Sequence, residues 1–158
     1  MKHLLLLRHA LTQNPTANGR DQDRHLTDEG KRQALSQGQL LRKNYEVDFI
    51  GCSTAVRTRE TLEHLKLAAQ IKCQFVENLY LPSAQDIEDF IAYEIPQKAE
   101  TALIVTHFPG VLDFAVKYGA DCSYYPEAAL SVYSASKWDA FKPGAVNFQK
   151  FYLPDAAQ

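Results

Sequence analysis

Leu4-Leu5-Leu6-Leu7-Arg8-His9 is the stretch on which the reading of this chain turns. Four consecutive leucines near the amino terminus are long enough for a strand. They are too short for a signal-peptide core or a membrane span. A run with no polar alternation predicts a strand buried on both faces, as in a parallel sheet sandwiched between helices. Arg8 and His9 then fall at the carboxyl end of that strand, which is where open α/β sheets bind ligands. The arginine supplies a permanent cation and the histidine a nucleophile or base, the parts needed to handle a phosphoryl group.

The pattern continues outward from there. Thr12 to Arg24 is polar and broken by Asn14, Pro15, Asn18 and Gly19, which predicts a loop. Thr27 caps a helix whose first turn holds Asp28 and Glu29 and whose apolar face holds Ala34, Leu40 and Leu41. Residues 47–52 (VDFIGC) predict a second strand, with Ser53 or Thr54 capping a helix that runs through Leu62 and Leu65. A short third strand is expected over Gln74 to Leu79, and a helix over Asp86 to Ile95 that Pro96 stops. Thr101 to Thr106 (TALIVT) predicts a buried strand, and Pro109-Gly110 opens the next helix. Final strands are expected over Leu130 to Ser134 and Phe148 to Leu153, with a turn at Lys142-Pro143-Gly144. Alternation of strands and helices predicts an α/β fold: a three-layer sandwich with a mostly parallel central sheet and helices on both faces. In such a sheet Arg8-His9, Arg57 and His107 each follow a strand and meet at one edge.

At 158 residues the chain is expected to be a single domain over 1–158, large enough for a real core. Hydrophobic and charged contents of 46% and 23% fit an ordinary globular protein, and a formal net charge of -2 gives no global field favouring nucleic acid or an anionic membrane. Cys52, Cys73 and Cys122 show no metal-binding or disulfide spacing, so free thiols in a reducing, cytoplasmic setting are expected.

Several segments, in order, resemble those of a known family. Residues 4–12 (LLLLRHALT) resemble the Arg-His-Gly signature of the histidine phosphatase superfamily, in an Arg-His-Ala form. Residues 52–61 (CSTAVRTRET) resemble its second segment, residues 104–110 (IVTHFPG) the segment carrying its second histidine, and residues 23–34 (DRHLTDEGKRQA) its Asp-Arg-x-Leu-Thr-x-x-Gly element. Residues 124–133 (YYPEAALSVY) and 151–154 (FYLP) are similar to the closing strands of the small SixA-like phosphohistidine phosphatases. The resemblance implies a phosphoglycerate mutase-like fold and a metal-independent phosphatase without a cofactor. It implies that His9 is the nucleophile and becomes phosphohistidine, that Arg8 and Arg57 bind the phosphoryl oxygens, that His107 donates to them, and that Arg24 lies near the pocket. Asp21 or Asp23 could instead engage Arg24 in a loop ion pair.

Departures from the family pattern bear on the substrate. Leu81 stands where the ester-cleaving branches carry a carboxylic acid, and leucine cannot protonate an alkoxide leaving group. An imidazole leaves more readily. The expected substrate is therefore a phosphohistidine-bearing protein such as a phosphotransfer domain. Glu77, Asp86 or Glu88 remain candidates for an acid, which keeps open a phosphatase acting on a small phosphorylated metabolite. A phospho-ligand binding module is the third reading.

Overall fold

The computed structural model describes residues 1–15 and 19–155; Asn18, read above as a loop breaker, lies outside them. Six strands form one sheet: β1 (Lys2–Arg8), β2 (Phe49–Ser53), β3 (Lys72–Val76), β4 (Thr101–Thr106), β5 (Leu130–Ala135) and β6 (Val146–Tyr152). Four helices accompany them: α1 (Asp28–Asn44), α2 (Val56–Leu65), α3 (Ala84–Glu94) and α4 (Gly110–Lys117). The spatial order is β3-β2-β4-β1-β5-β6. The β3–β2, β2–β4 and β4–β1 pairs are parallel, while β5 runs antiparallel to both β1 and β6.

The leucine run behaves as a doubly covered strand should. Leu4 and Leu6 point into a core built with Ile87, Phe90 and Ile91 of α3 and Val111 and Phe114 of α4. Leu5 and Leu7 point the other way, into a core with Ala34 and Leu41 of α1 and Leu65 of α2. The period of two sends alternate leucines to opposite faces, and the helices on each face bury both sets. The α/β sandwich with a mostly parallel sheet is therefore the observed architecture.

Local signals hold with some displacement. Thr27 caps α1, its Oγ1 accepting from the Gly30 N–H at 2.9 Å. Ser83 caps α3 in a reciprocal box with Asp86. For α2, by contrast, neither Ser53 nor Thr54 is the cap. Ala55 takes that position with no side-chain bond, because the Ser53 hydroxyl is engaged by His107 and the Thr54 hydroxyl by Glu77. The third strand ends at Val76, and Glu77–Leu79 form a 3-10 turn instead of its continuation. Pro109 sits at the N-cap of α4, one residue earlier than the first turn proper.

Close approach fixes how α1 and α2 pack. A Cβ on Gly38 would lie 2.0 Å from the Leu65 carbonyl oxygen, so only glycine lets the two backbones meet there.

Candidate active site

Strand register explains why residues so distant in sequence meet. In the β1–β4 ladder Arg8 pairs with Thr106, and the His9 N–H donates to the Thr106 carbonyl at 3.1 Å. Arg8-His9 and Thr106-His107 therefore leave the sheet side by side. Cys52 of β2 pairs with Val105 of β4, which sets Ser53 at the same edge and starts α2, with Arg57 in its first turn, just beyond. The segment entering β5 closes the other side: the Arg8 N–H donates to the Ala129 carbonyl and the Ala128 N–H to the His9 carbonyl. The His9 and His107 rings lie 5.4 Å apart between centroids.

His9 is buried, and its Nδ1 lies 2.8 Å from the Ala10 carbonyl oxygen. A carbonyl only accepts, so Nδ1 carries the proton and Nε2 keeps its lone pair. The Ala10 peptide is itself anchored, since its N–H donates to Thr61 Oγ1 at 3.0 Å. Burial, with the charges of Arg57, Arg8 and Arg24 adding to it, draws the His9 pKa from 6.5 down to about 3 against the opposing pull of the Ala10 bond. A neutral imidazole with a free Nε2 is the form that can attack phosphorus.

Arg57 is only 1% exposed despite its charge. Asp21, in a 3-10 turn over Asp21–Asp23, compensates it: Nη1 donates to the Asp21 carbonyl at 2.8 Å and Nη2 to Oδ2 at 2.9 Å. Tyr80 donates its hydroxyl to the same Oδ2 at 2.5 Å. Arg24 reaches Oδ1 through Nε at 3.1 Å and also donates to Thr12 Oγ1 at 2.9 Å. Partial burial pushes the Asp21 pKa up, but the bonds from Tyr80 and Arg57 and the charges of Arg57 and Arg24 win and hold it at about 2. Arg24 thus forms the loop ion pair with Asp21, and its charge is also felt at both histidines.

Arg8 is held on the opposite wall. Its Nη1 donates to the Tyr125 carbonyl at 2.7 Å and to the Tyr124 hydroxyl at 3.1 Å, and its guanidinium carbon lies 4.8 Å from the Phe108 ring centroid. Tyr124 is half exposed beside Arg8, whereas Tyr125 is core. His107 is buried, with Nε2 2.8 Å from Ser53 Oγ and the Tyr80 ring edge-on at 5.2 Å. Burial first, then the neighbouring His9 and the Arg57 and Arg24 charges, lowers its pKa to about 2 against the opposing charge of Asp21.

One feature of these residues stands out chemically. Three buried side-chain nitrogens among the described residues have no hydrogen-bond partner: Arg8 Nε, Arg57 Nε and His107 Nδ1. Each unsatisfied buried polar group costs about 1–3 kcal/mol. All three belong to residues around His9, so an anion with several acceptor oxygens bound there would relieve them together. The expected group of Arg8, His9, Arg57 and His107 is thus brought together. Asp21, expected only as an ion-pair partner of Arg24, and Ser53, expected only as a helix cap, join it together with Tyr80, which the sequence did not single out. The Asp21-x-x-Arg24 spacing was the one available hint for Asp21.

The candidate acids separate. Asp86 is committed to the α3 cap, and Glu88 pairs with Lys117 and Tyr118 between α3 and α4. Glu77 stays at the sheet edge, accepting from the Thr54 hydroxyl at 3.0 Å. Leu81 is 51% exposed, with φ of 46°. Among the described residues no group of three or more His, Cys, Asp or Glu could hold a metal ion, and no helix is long and apolar enough to cross a membrane.

Comparison with known proteins agrees with this geometry. The uncharacterized protein MT1313 of Mycobacterium tuberculosis (strain CDC 1551 / Oshkosh) is 29% identical, with 94% of this chain and 99% of that protein covered. Among solved structures, the proposed phosphohistidine phosphatase SixA from Nakamurella multipartitia superposes with a TM-score of 0.83 at 29% identity, covering 98% of this chain and 97% of that one. The proposed phosphohistidine phosphatase SixA from Agrobacterium tumefaciens shares the fold with a TM-score of 0.80 at 23% identity, covering 97% of this chain and 98% of that one. The sequence pattern of the histidine phosphatase superfamily, branch 1, matches residues 4–107. The chain belongs to that superfamily and is SixA-like, and its enzyme class is phosphatase.

Proposed function

We propose that the chain removes phosphate from protein phosphohistidine through a phospho-His9 intermediate. The observation that carries this reading is the set of three unpaired buried nitrogens around a neutral histidine whose Nε2 is free. His9 Nε2 attacks phosphorus while Arg8, Arg57 and His107 hold the phosphoryl oxygens. The N–P bond of the substrate breaks and its electron pair stays on the leaving imidazole, which departs neutral when its far nitrogen carries a proton. Water then attacks the phosphorus on His9, the new N–P bond breaks, and orthophosphate leaves. Such transfer depends on positioning and charge neutralisation, which fixed guanidinium groups supply.

The substrate preference follows from the acids. Asp86 and Glu88 are occupied on α3, and Leu81 has no proton to give. An imidazole leaving group needs no strong acid, and the SixA likeness points the same way. A phosphotransfer domain bearing phosphohistidine is the partner that fits. Glu77 favours a second reading, hydrolysis of a small phosphate ester, since it directly follows β3 at the sheet edge that carries the pocket and accepts from Thr54 beside Ser53.

The test is a rate comparison in EDTA. Wild type, His9→Ala and Glu77→Gln are given a phosphohistidine-bearing protein and a panel of small phosphate esters. Fast, His9-dependent loss of phosphate from the protein, unaffected by Glu77→Gln, is expected. Preferential ester turnover that collapses in Glu77→Gln would transfer the assignment to a small-molecule phosphatase. Activity retained in His9→Ala would remove the nucleophile, and loss of wild-type activity in EDTA would overturn the metal-free mechanism.

A further inference from the structure

Ser53 ends β2 one residue beyond the Cys52–Val105 pair, fully buried, with its Oγ 2.8 Å from His107 Nε2. Two proton arrangements satisfy that distance. If Nε2–H donated to Oγ, the serine proton would have no acceptor and the Nδ1 lone pair would be buried with no donor. If the serine hydroxyl donates to Nε2, every group is satisfied except one N–H on Nδ1. The Ala55 N–H approaches the same Oγ at 3.4 Å, filling an acceptor position and leaving the serine proton directed at the imidazole. The second arrangement leaves fewer buried groups unpaired.

We infer that Ser53 is a positioning residue that fixes the tautomer of His107, holding its proton on Nδ1 so that Nδ1–H is the donor presented to a phosphoryl oxygen. The last clause rests on the function proposed above. A neutral imidazole has a single proton. On Nδ1 it makes a hydrogen bond to an incoming oxygen; on Nε2 it leaves a lone pair facing that oxygen, which repels it. Burial keeps His107 neutral, so a second proton cannot make the choice irrelevant. The Tyr80 ring, edge-on to His107 at an interplanar angle of 84°, packs the imidazole into one orientation. The hydroxyl therefore governs whether the third oxyanion donor exists, although it touches no reacting atom.

The tautomer can be read directly from the ring nitrogens by 15N NMR of the wild-type protein without substrate. The expected spectrum has His107 protonated at Nδ1 and bare at Nε2 from pH 5 to pH 8. In Ser53→Ala the Nε2–H form should become populated. Vanadate inhibition should then weaken by roughly tenfold or more, with kcat falling in step, as for loss of an oxyanion donor. Ser53→Thr, which keeps the hydroxyl, should restore both. A wild-type His107 protonated at Nε2 overturns the inference, and this spectrum decides the matter even if Ser53→Ala fails to fold. So does a Ser53→Ala protein that keeps the Nδ1–H form and unchanged vanadate inhibition. A wild-type Nδ1–H signal in a protein that turns over no phosphorylated substrate would support the tautomer and overturn the functional reading alone.

Discussion

Acid should destabilise this protein through its buried histidines before it reaches its carboxylates. Burial and the surrounding arginines lower the His9 pKa from 6.5 to about 3, and burial with the neighbouring His9 and arginine charges lowers that of His107 to about 2. In the unfolded chain both return to the ordinary value. Between about pH 6.5 and pH 3 the unfolded chain therefore binds more protons than the native one, so stability rises with pH across that window. The contribution is complete above pH 6.5 and is lost as the pH falls towards the folded values. For His9 alone the loss between pH 7 and pH 4 is on the order of 3 kcal/mol. Asp21, lowered from 3.8 to about 2, adds a loss only below about pH 4. Urea unfolding of wild type and His9→Gln at pH 7 and pH 4 measures the term. Wild type should lose about 3 kcal/mol more than the variant, and somewhat more again because His107 is relieved of the neighbouring His9 in the variant. Equal losses in the two proteins would mean that folded His9 takes a proton as freely as the unfolded chain does, and the neutral nucleophile would be refuted.

Two further outcomes are expected. Arg57→Ala removes a buried cation and releases Asp21, so phosphate and vanadate binding should weaken together by roughly a hundredfold; unchanged vanadate inhibition would take Arg57 out of the pocket. Gly38→Ala forces its new methyl onto the Leu65 carbonyl and should cost about 2–3 kcal/mol in urea unfolding; a midpoint matching wild type would show that α1 and α2 can part without penalty.

Much of the fold was legible because its central strands β1 and β4 are near-continuous apolar runs. TALIVT needed no tertiary information, and its end placed His107 next to the end of the leucine strand. The helix caps were legible where the hydroxyl was free to act locally, as at Thr27. They were misread at Ser53 and Thr54, where tertiary partners claimed the hydroxyls. The same physics divided the site. Arg8, His9, Arg57 and His107 end or follow strands, and parallel register brings strand ends together whatever the loops do. Asp21 and Tyr80 lie in 3-10 turns or loops between elements, and their meeting over Arg57 depends on the folded path of both segments. No local periodicity encodes such a path. The third strand was read too long because Leu79 is fully buried, and burial in a 3-10 turn looks the same in sequence as burial in a strand.

Under the proposed function, the three unpaired nitrogens around His9 make no distinction between a phosphoryl group arriving on a substrate and the orthophosphate that departs. Both offer the same oxygens to Arg8, Arg57 and His107. A pocket that relieved its unsatisfied groups by taking an anion would therefore be slowed by its own product. Ambient orthophosphate would then set how much of the enzyme is vacant at any moment, and it would raise the melting temperature of whatever fraction it occupied.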